Sequence, residues 1–240
     1  MTSHQQTSAG SVTAARPEIP RAGGGSTPTS ALHQLKVRPV PFRIAKAVLV
    51  RHHYLKSMPG GTQLALGAFV GTRLQGVLTL GVGPPMVFRL VDGADPGDCA
   101  TLSRLWLSDA LPRNSESRVL GVVLRALKRC TSLKFLVSYA DPAMGHRGGI
   151  YQAAGWLYTG LSQATTLIDL GDGVPRHSRT VGHAFGTHSI RHFEAHDIPV
   201  HTVQQEPKHR YLHFIDSSWR DRLRVPVLPY PKEAGRDESR

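Results

Sequence analysis

Apolar and polar positions recur along this chain with two different periods, and the switches between them lay out most of its elements. Leu35 to Val40 reads as a strand. Phe42, Ala45, Val48 and Leu49 then recur at helical spacing, so Pro41 opens a helix that runs to about Tyr54. Gln63 to Val70 and Arg73 to Gly81 flank Gly71-Thr72, a two-residue linker typical of a hairpin. Pro84 to Gly97 is a loop punctuated by Pro, Gly and Asp, and Thr101 to Leu107 reads as a strand that alternates its faces. Ser115 is expected to cap a second helix whose stripe is Val119, Val122, Val123, Leu124 and Leu127. Leu133 to Val137 is a short buried strand reaching Ser138. A short helical phrase around Tyr151 ends at Gly155, and Trp156 to Gly160 and Gln163 to Leu170 read as strands. From Gly171 the chain becomes basic, His-rich and less patterned, until Tyr211 to Ile215 supplies one more strand.

Composition narrows the class. The 240 residues suit one domain with a tail, long enough to bury a real core. Met1 to about Ser30 has almost no large apolar residues and is expected to be a disordered tail. No apolar run approaches the roughly 18 residues of a spanning helix, so no membrane partner is expected. No basic-then-apolar leader opens the sequence, and two cysteines, Cys99 and Cys130, fit a reducing cytoplasm. Charge changes the picture most. Lys and Arg number 29 against 17 acids, a net +12. Such an excess favours a polyanion partner, because each phosphate neutralised releases counterions. An inert basic surface is the alternative.

Side chains with chemistry gather after the Leu133 strand, in Tyr139-Ala140-Asp141-Pro142, then His146, Arg147 and two glycines, then Tyr151. Open α/β sheets bind ligands at the carboxyl ends of their strands. A plain turn served by Pro and Gly is the competing reading. The pattern Tyr151-x-x-x-Gly155-Trp156, after a strand and opening a short helix, resembles the last part of the acyltransferase fold of the GNAT superfamily. The longer string resembles the Mom family, phage-encoded proteins that modify adenine in DNA and so hide it from restriction enzymes. Its parts are Leu102-Ser103-Arg104-Leu105-Trp106, Asn114-Ser115-Glu116-Ser117-Arg118, Val137-Ser138-Tyr139-Ala140-Asp141-Pro142, Gly145-His146 and Ile150-Tyr151-Gln152-Ala153. The resemblance runs from about Leu35 to Lys232, with His53-Tyr54 near its start and Leu228-Pro229-Tyr230-Pro231-Lys232 near its end.

That resemblance implies a GNAT-like α/β fold, a mixed sheet flanked by helices over residues 35–232, of which 170–232 is a basic, His-rich C-terminal extension. It implies that Tyr151 acts as general acid toward the donor's leaving group; a Tyr packed on the helix with its hydroxyl satisfied is the other reading. Asp141 would orient the acceptor amine, ligate a metal or serve as base, and it is also a good turn starter. His53 and Tyr54 would border the acceptor cleft, or form a helix-end cluster held by the dipole. Ser138 belongs to the same catalytic set. Arg104 suits a phosphate or carboxylate clamp, with a surface salt bridge as the alternative. Ser115, Ser117 and Arg118 stand where GNAT enzymes place a Gly-rich loop for the pyrophosphate of coenzyme A. The chain has Asn-Ser-Glu-Ser-Arg there, and Glu116 would repel an anion, which disfavours ordinary acetyl-CoA use.

The implied activity is transfer to the N6 amine of adenine in double-stranded DNA, in the cytoplasm of a phage-infected or lysogenic host, giving N6–CH2–CO–NH2. The expected donor is an activated glycine, with glycyl-tRNA as its candidate carrier and tRNA as a second partner. Some members of the family are associated with iron, for which His53, Tyr54, Asp141 and Tyr151 are the candidate ligands. His188, His192 and His196, spaced by four, would stack on one helical face as a less favoured metal site. The rivals are an ordinary GNAT acetyltransferase acting on a protein or small amine, and a non-catalytic DNA-binding accessory protein.

Overall fold

The computed structural model describes residues 34–232; the tail expected before Ser30 lies outside them. In chain order come β1 (Leu35–Pro39), α1 (Phe42–His52), β2 (Thr62–Val70), β3 (Arg73–Gly81), β4 (Cys99–Leu107), α2 (Ser115–Cys130), β5 (Phe135–Ala140), α3 (Gly149–Ala153) and β6 (Leu157–Leu161). After them come β7 (Thr165–Asp169), β8 (Arg176–His177), α4 (Ser178–Phe185), α5 (Ile190–Ala195), β9 (His201–Gln205) and β10 (His209–Phe214). A seven-stranded sheet has the order β1-β2-β3-β4-β5-β10-β6, and a three-stranded sheet has the order β8-β7-β9. Every neighbouring pair in the large sheet is antiparallel except β4 with β5. This is a mixed α/β fold, with the strand and helix order that the GNAT resemblance implies.

The two long helices cover opposite faces of the sheet. Ala45, Val48 and Leu49 of α1 pack on Ala65, Phe69, Leu74 and Val77. Val119, Leu120, Val123 and Leu127 of α2 pack on the other face, against Leu66, Ala68, Leu78, Leu102 and Leu136. Alternate residues of β2 and β3 thus serve different helices, and burial on both faces explains their nearly unbroken apolar runs. At about 25 cal/mol per Å² of apolar surface removed from water, these two layers carry most of the hydrophobic stabilisation.

Four expectations need correction. The segment after Gly171 is not simply an appendage: β10 enters the large sheet between β5 and β6, with Tyr211 and Leu212 fully buried. Residues 162–208 form an insertion ahead of β10 with their own small core of Ile168, Val181 and Phe193. That insertion is His-rich. Ser115 is not a cap, because its hydroxyl donates to Pro112 O at 2.5 Å and the residue before the helix is Asn114, in the left-handed region. β4 does not alternate: its first four residues are all buried and the rest are half-buried. His188 lies outside α5, so the three histidines share no helix; His192 and His196 alone stack, at 4.2 Å.

Candidate functional site

The parallel strands β4 and β5 pair from Cys99 opposite Phe135 to Leu102 opposite Ser138, and then they part. Beyond that point β4 runs on to Leu107 with half-buried side chains, having lost one neighbour. A bulge falls at the same place. Leu102 faces Leu80 and Arg104 faces Thr79, so Ser103 is an extra residue in β4. One extra residue reverses which face later side chains occupy. Leu102 stays on the α2 side, and Arg104 turns to the α1 side.

On the α2 side of the point where the strands part lie Tyr151 and Ser138, both buried. Tyr151 sits in the short helix α3, whose preceding residue Gly148 has φ +80° and lies against the Tyr211 ring. No other residue type fits both conditions. The Tyr211 hydroxyl donates to Arg147 O, Gln152 Nε2 donates to that same carbonyl, and the Arg147 guanidinium donates to Lys232 O at 2.7 Å. The entry to α3 is held from both sides. Ser138 Oγ lies 2.7 Å from the Tyr151 hydroxyl and 2.8 Å from Leu102 O, all buried. A serine has one proton, and a carbonyl only accepts. With the Ser138 proton on Leu102 O, the phenol donates to Ser138; with that proton turned to the phenol, the Tyr151 proton is free to leave. Burial pushes the Tyr151 phenol up to about 12, with the Ser138 hydrogen bond pulling the other way. The phenol therefore keeps its proton at neutral pH.

On the α1 side, the helix ends at His53 and Tyr54, stacked with ring centroids 4.4 Å apart. Tyr54 in turn faces His146 of the β5–α3 loop at 5.3 Å. Burial, then the Arg104, His146 and Lys56 charges, hold the His53 imidazole down at about 4. His53 Nδ1 accepts from the Leu55 N–H at 3.1 Å, so the neutral ring carries its proton on Nε2 and offers a donor there. Tyr54 is pushed up by burial and by the Asp141 charge, with Arg104 opposing. Asp141 is buried, accepts from Ala143 N at 3.1 Å and pairs with Lys208 Nζ at 3.0 Å. Arg104 donates to Ser103 O at 2.8 Å, its Nε is buried without a partner, and no carboxylate pairs with it among the described residues. An anion would satisfy it. The surface salt bridge considered for Arg104 does not form among the described residues.

These side chains come together: Tyr151 with Ser138 on one face, His53, Tyr54, Arg104 and Asp141 on the other. Ser115, Ser117 and Arg118 do not join them. They lie at the start of α2, beside an open depression of about 360 Å³ lined in part by Asp109, Arg113 and Glu116. Ser117 donates to Asn114 O at 3.0 Å, so both serine hydroxyls are spent on backbone carbonyls. Two carboxylates, Asp109 and Glu116, and one cation, Arg113, line the depression. Sequence reasoning misses Lys208, one of two cations in a polar stretch, and His177 of the insertion. Burial first, then the Lys208, Arg179 and Arg104 charges, hold His177 below its ordinary value.

The Mom protein family matches residues 34–232 of the chain, the whole described structure. The chain belongs to the Mom family. Methylcarbamoylase mom of Escherichia phage Mu is 31% identical over 210 residues, covering 83% of this chain and 84% of that protein. Solved structures are more distant. The aminoglycoside acetyltransferase AAC(6')-Ib in complex with paromomycin and acetyl-CoA has a TM-score of 0.46 at 12% identity, covering 80% of this chain and 98% of its own. The aminoglycoside N(6')-acetyltransferase of Legionella pneumophila has a TM-score of 0.42 at 10% identity, covering 79% and 96%.

Iron, which the Mom resemblance raises, does not fit the four candidate ligands as they are arranged. The Asp141 carboxylate is engaged by Ala143 and Lys208. The Tyr151 hydroxyl is engaged by Ser138 Oγ at 2.7 Å. Among the described residues no three His, Cys, Asp or Glu side chains converge on one point. No helix among them is long and apolar enough to cross a membrane.

Proposed function

We propose that this Mom-family chain is a transferase that modifies the N6 amine of adenine in duplex DNA, leaving an N6-carbamoylmethyl group that shields phage DNA from restriction in the host cytoplasm. The observation that carries this reading is the parting of β4 and β5 at Leu102 and Ser138, with the Tyr151 hydroxyl on one side and Tyr54, Arg104 and Asp141 on the other. A donor entering from the α2 side meets an acceptor entering from the α1 side.

The donor is an activated glycine, with glycyl-tRNA as its carrier. In support, the start of α2 reads Asn114-Ser115-Glu116-Ser117-Arg118 and lacks the Gly-rich loop of coenzyme A enzymes. N6 attacks the glycyl carbonyl, the ester bond breaks, and the departing ribose oxygen takes the Tyr151 proton. The Ser138 proton swings from Leu102 O to the phenolate. Asp141 receives the proton that N6 loses, and solvent returns one to Tyr151. The free glycyl amine then attacks C6 through a five-membered ring, and the original nitrogen leaves C6 as the carboxamide. This product is an isomer of the N6-glycyl base, so no further atom or electron is needed. The adenine leaves the stack to reach the opening, at a cost of a few kcal/mol that phosphate contacts offset.

Nucleoside mass spectrometry of DNA from cells expressing the chain tests the reading. The expected product is a deoxyadenosine heavier by one glycine residue. On acid hydrolysis it gives N6-carboxymethyladenine, whereas an unrearranged N6-glycyl base returns adenine. Unmodified nucleosides, or product made by purified protein from acetyl-CoA alone, would overturn the proposal.

A further inference from the structure

From Gln34 to Val91 the chain contains no Asp or Glu, while it holds Lys36, Arg38, Arg43, Lys46, Arg51, Lys56, Arg73 and Arg89. The fold gathers five of these cations on one surface. On α1, Ala45, Val48 and Leu49 face the sheet, so Arg43, Lys46 and Arg51 stand on the exposed face, with Ala47 and the exposed Val50 between them. Lys36 and Arg38 lie on the edge strand β1, opposite Phe69 and Gly67, which places them on the α1 side of the sheet. The Arg38 guanidinium sits 4.1 Å over the Phe69 ring. Among the described residues none of these five cations pairs with a carboxylate.

Helix energetics do not account for this pattern. The first turn of α1 has no acid, and its preceding residue makes no side-chain cap. Arg43 stands in that turn, where the positive end of the helix dipole disfavours a cation. A local preference broken without internal compensation marks a position kept for an external ligand. Arg43 to Arg51 spans about 12 Å at 1.5 Å per residue, enough to meet successive phosphates of one strand. The same helix ends at His53 and Tyr54, on the α1 side of the opening.

We propose that the exposed face of α1, with Lys36 and Arg38 of β1, is the surface on which the phosphodiester backbone of duplex DNA lies, leading the target base to Tyr54. This rests on the DNA-modification reading and adds where the duplex sits. α2 also carries exposed cations: Arg118 stands near its start, where Glu116 supplies an acid, and Arg125, Lys128 and Arg129 cluster in its last turns, where the dipole itself favours them.

The test compares the full chain with Arg43→Glu/Lys46→Glu and with a charge-matched control, Arg125→Glu/Lys128→Glu. A fluorescent duplex and unfractionated tRNA serve as probes over a range of salt. Acids near the start of a helix are compatible with folding, so the α1 variant should melt no lower than wild type. It should bind duplex at least tenfold more weakly and reduce the slope of log affinity against log salt by about two, one for each phosphate no longer neutralised. The control should stay within about threefold of wild type. Duplex binding unchanged in the α1 variant, an equal loss in the control, or a loss confined to tRNA would overturn the assignment. A wild-type chain that binds no duplex at low salt would sink the DNA reading itself, a separate result.

Discussion

The Tyr151 hydroxyl lies 2.7 Å from Ser138 Oγ, and Ser138 is the last residue of β5 that still pairs with β4. Its hydroxyl therefore has two possible acceptors, Leu102 O and the phenol oxygen, at the point where the strands part. Tyr151→Phe keeps the ring that packs on Trp156 and Tyr211 and removes only the hydroxyl. Modification of adenine should fall by about 2 to 4 orders of magnitude while the melting temperature barely moves. Ser138→Ala should cost less, about tenfold, because the phenol keeps its proton and loses only the partner of its phenolate. A Tyr151→Phe protein retaining a third of wild-type activity would remove the phenol from the chemistry.

Asp141 and Lys208 test whether the insertion's return to β10 contributes to the site. Their ion pair is mostly sheltered, with side-chain exposures of 8% and 22%. Asp141→Asn keeps the acceptor for Ala143 N but strands the Lys208 charge; Lys208→Met strands the carboxylate. Each single change should destabilise the fold by about 1–3 kcal/mol, and the double change by less than the sum. Strict additivity in chemical denaturation would show that the pair is not coupled. Asp141→Asn should also lose most modification activity if the carboxylate takes the N6 proton.

Much of this architecture is legible from period and turn chemistry alone. Pro41, Gly71-Thr72 and the stripe on α2 each announce their element, and the loop from Tyr139 to Tyr151 is legible because its chemistry is local. Strand order is not. β10 enters beside β5 through pairings such as His209 with Ala140, and apolar period carries no information about such distant partners. The bulge at Ser103 is one residue long and leaves no mark in composition, yet it decides which side Arg104 faces. Lys208 carries no local signal either; it matters only because β10 pairs beside the residue before Asp141.

Gly148→Ala should be among the most damaging single changes outside the reacting groups. Gly148 sits at φ +80°, a left-handed conformation that Ala rarely adopts, and an added Cβ would overlap the Tyr211 ring. That ring is fully buried and its hydroxyl donates to Arg147 O, so it has nowhere to move. A loss of roughly 2–4 kcal/mol is expected from strain and overpacking together. Gly145→Ala provides the contrast: its φ is +71° but its added Cβ meets nothing within 4 Å. Equal melting temperatures for the two variants would show that the Tyr211 contact is unimportant.

His53 sets a pH dependence whose sign follows from its shift. Burial first, then Arg104, His146 and Lys56, hold its imidazole at about 4 against an ordinary 6.5. Between those values the unfolded chain takes up a proton that the folded chain refuses. The stabilisation is therefore fully present above pH 6.5 and is lost progressively as pH falls toward 4. Discounted for partial solvent screening, the loss is about 1–2 kcal/mol. His53→Gln keeps a side chain of similar length that does not titrate, so it should flatten this part of the stability curve. Urea denaturation at intervals from pH 4 to 7 checks the prediction, with the difference between variant and wild type as the readout, because other histidines titrate in both. A difference that stays constant across that window would mean that the folded chain does not hold His53 neutral. The donor at Nε2 would then have no special standing beside Tyr54.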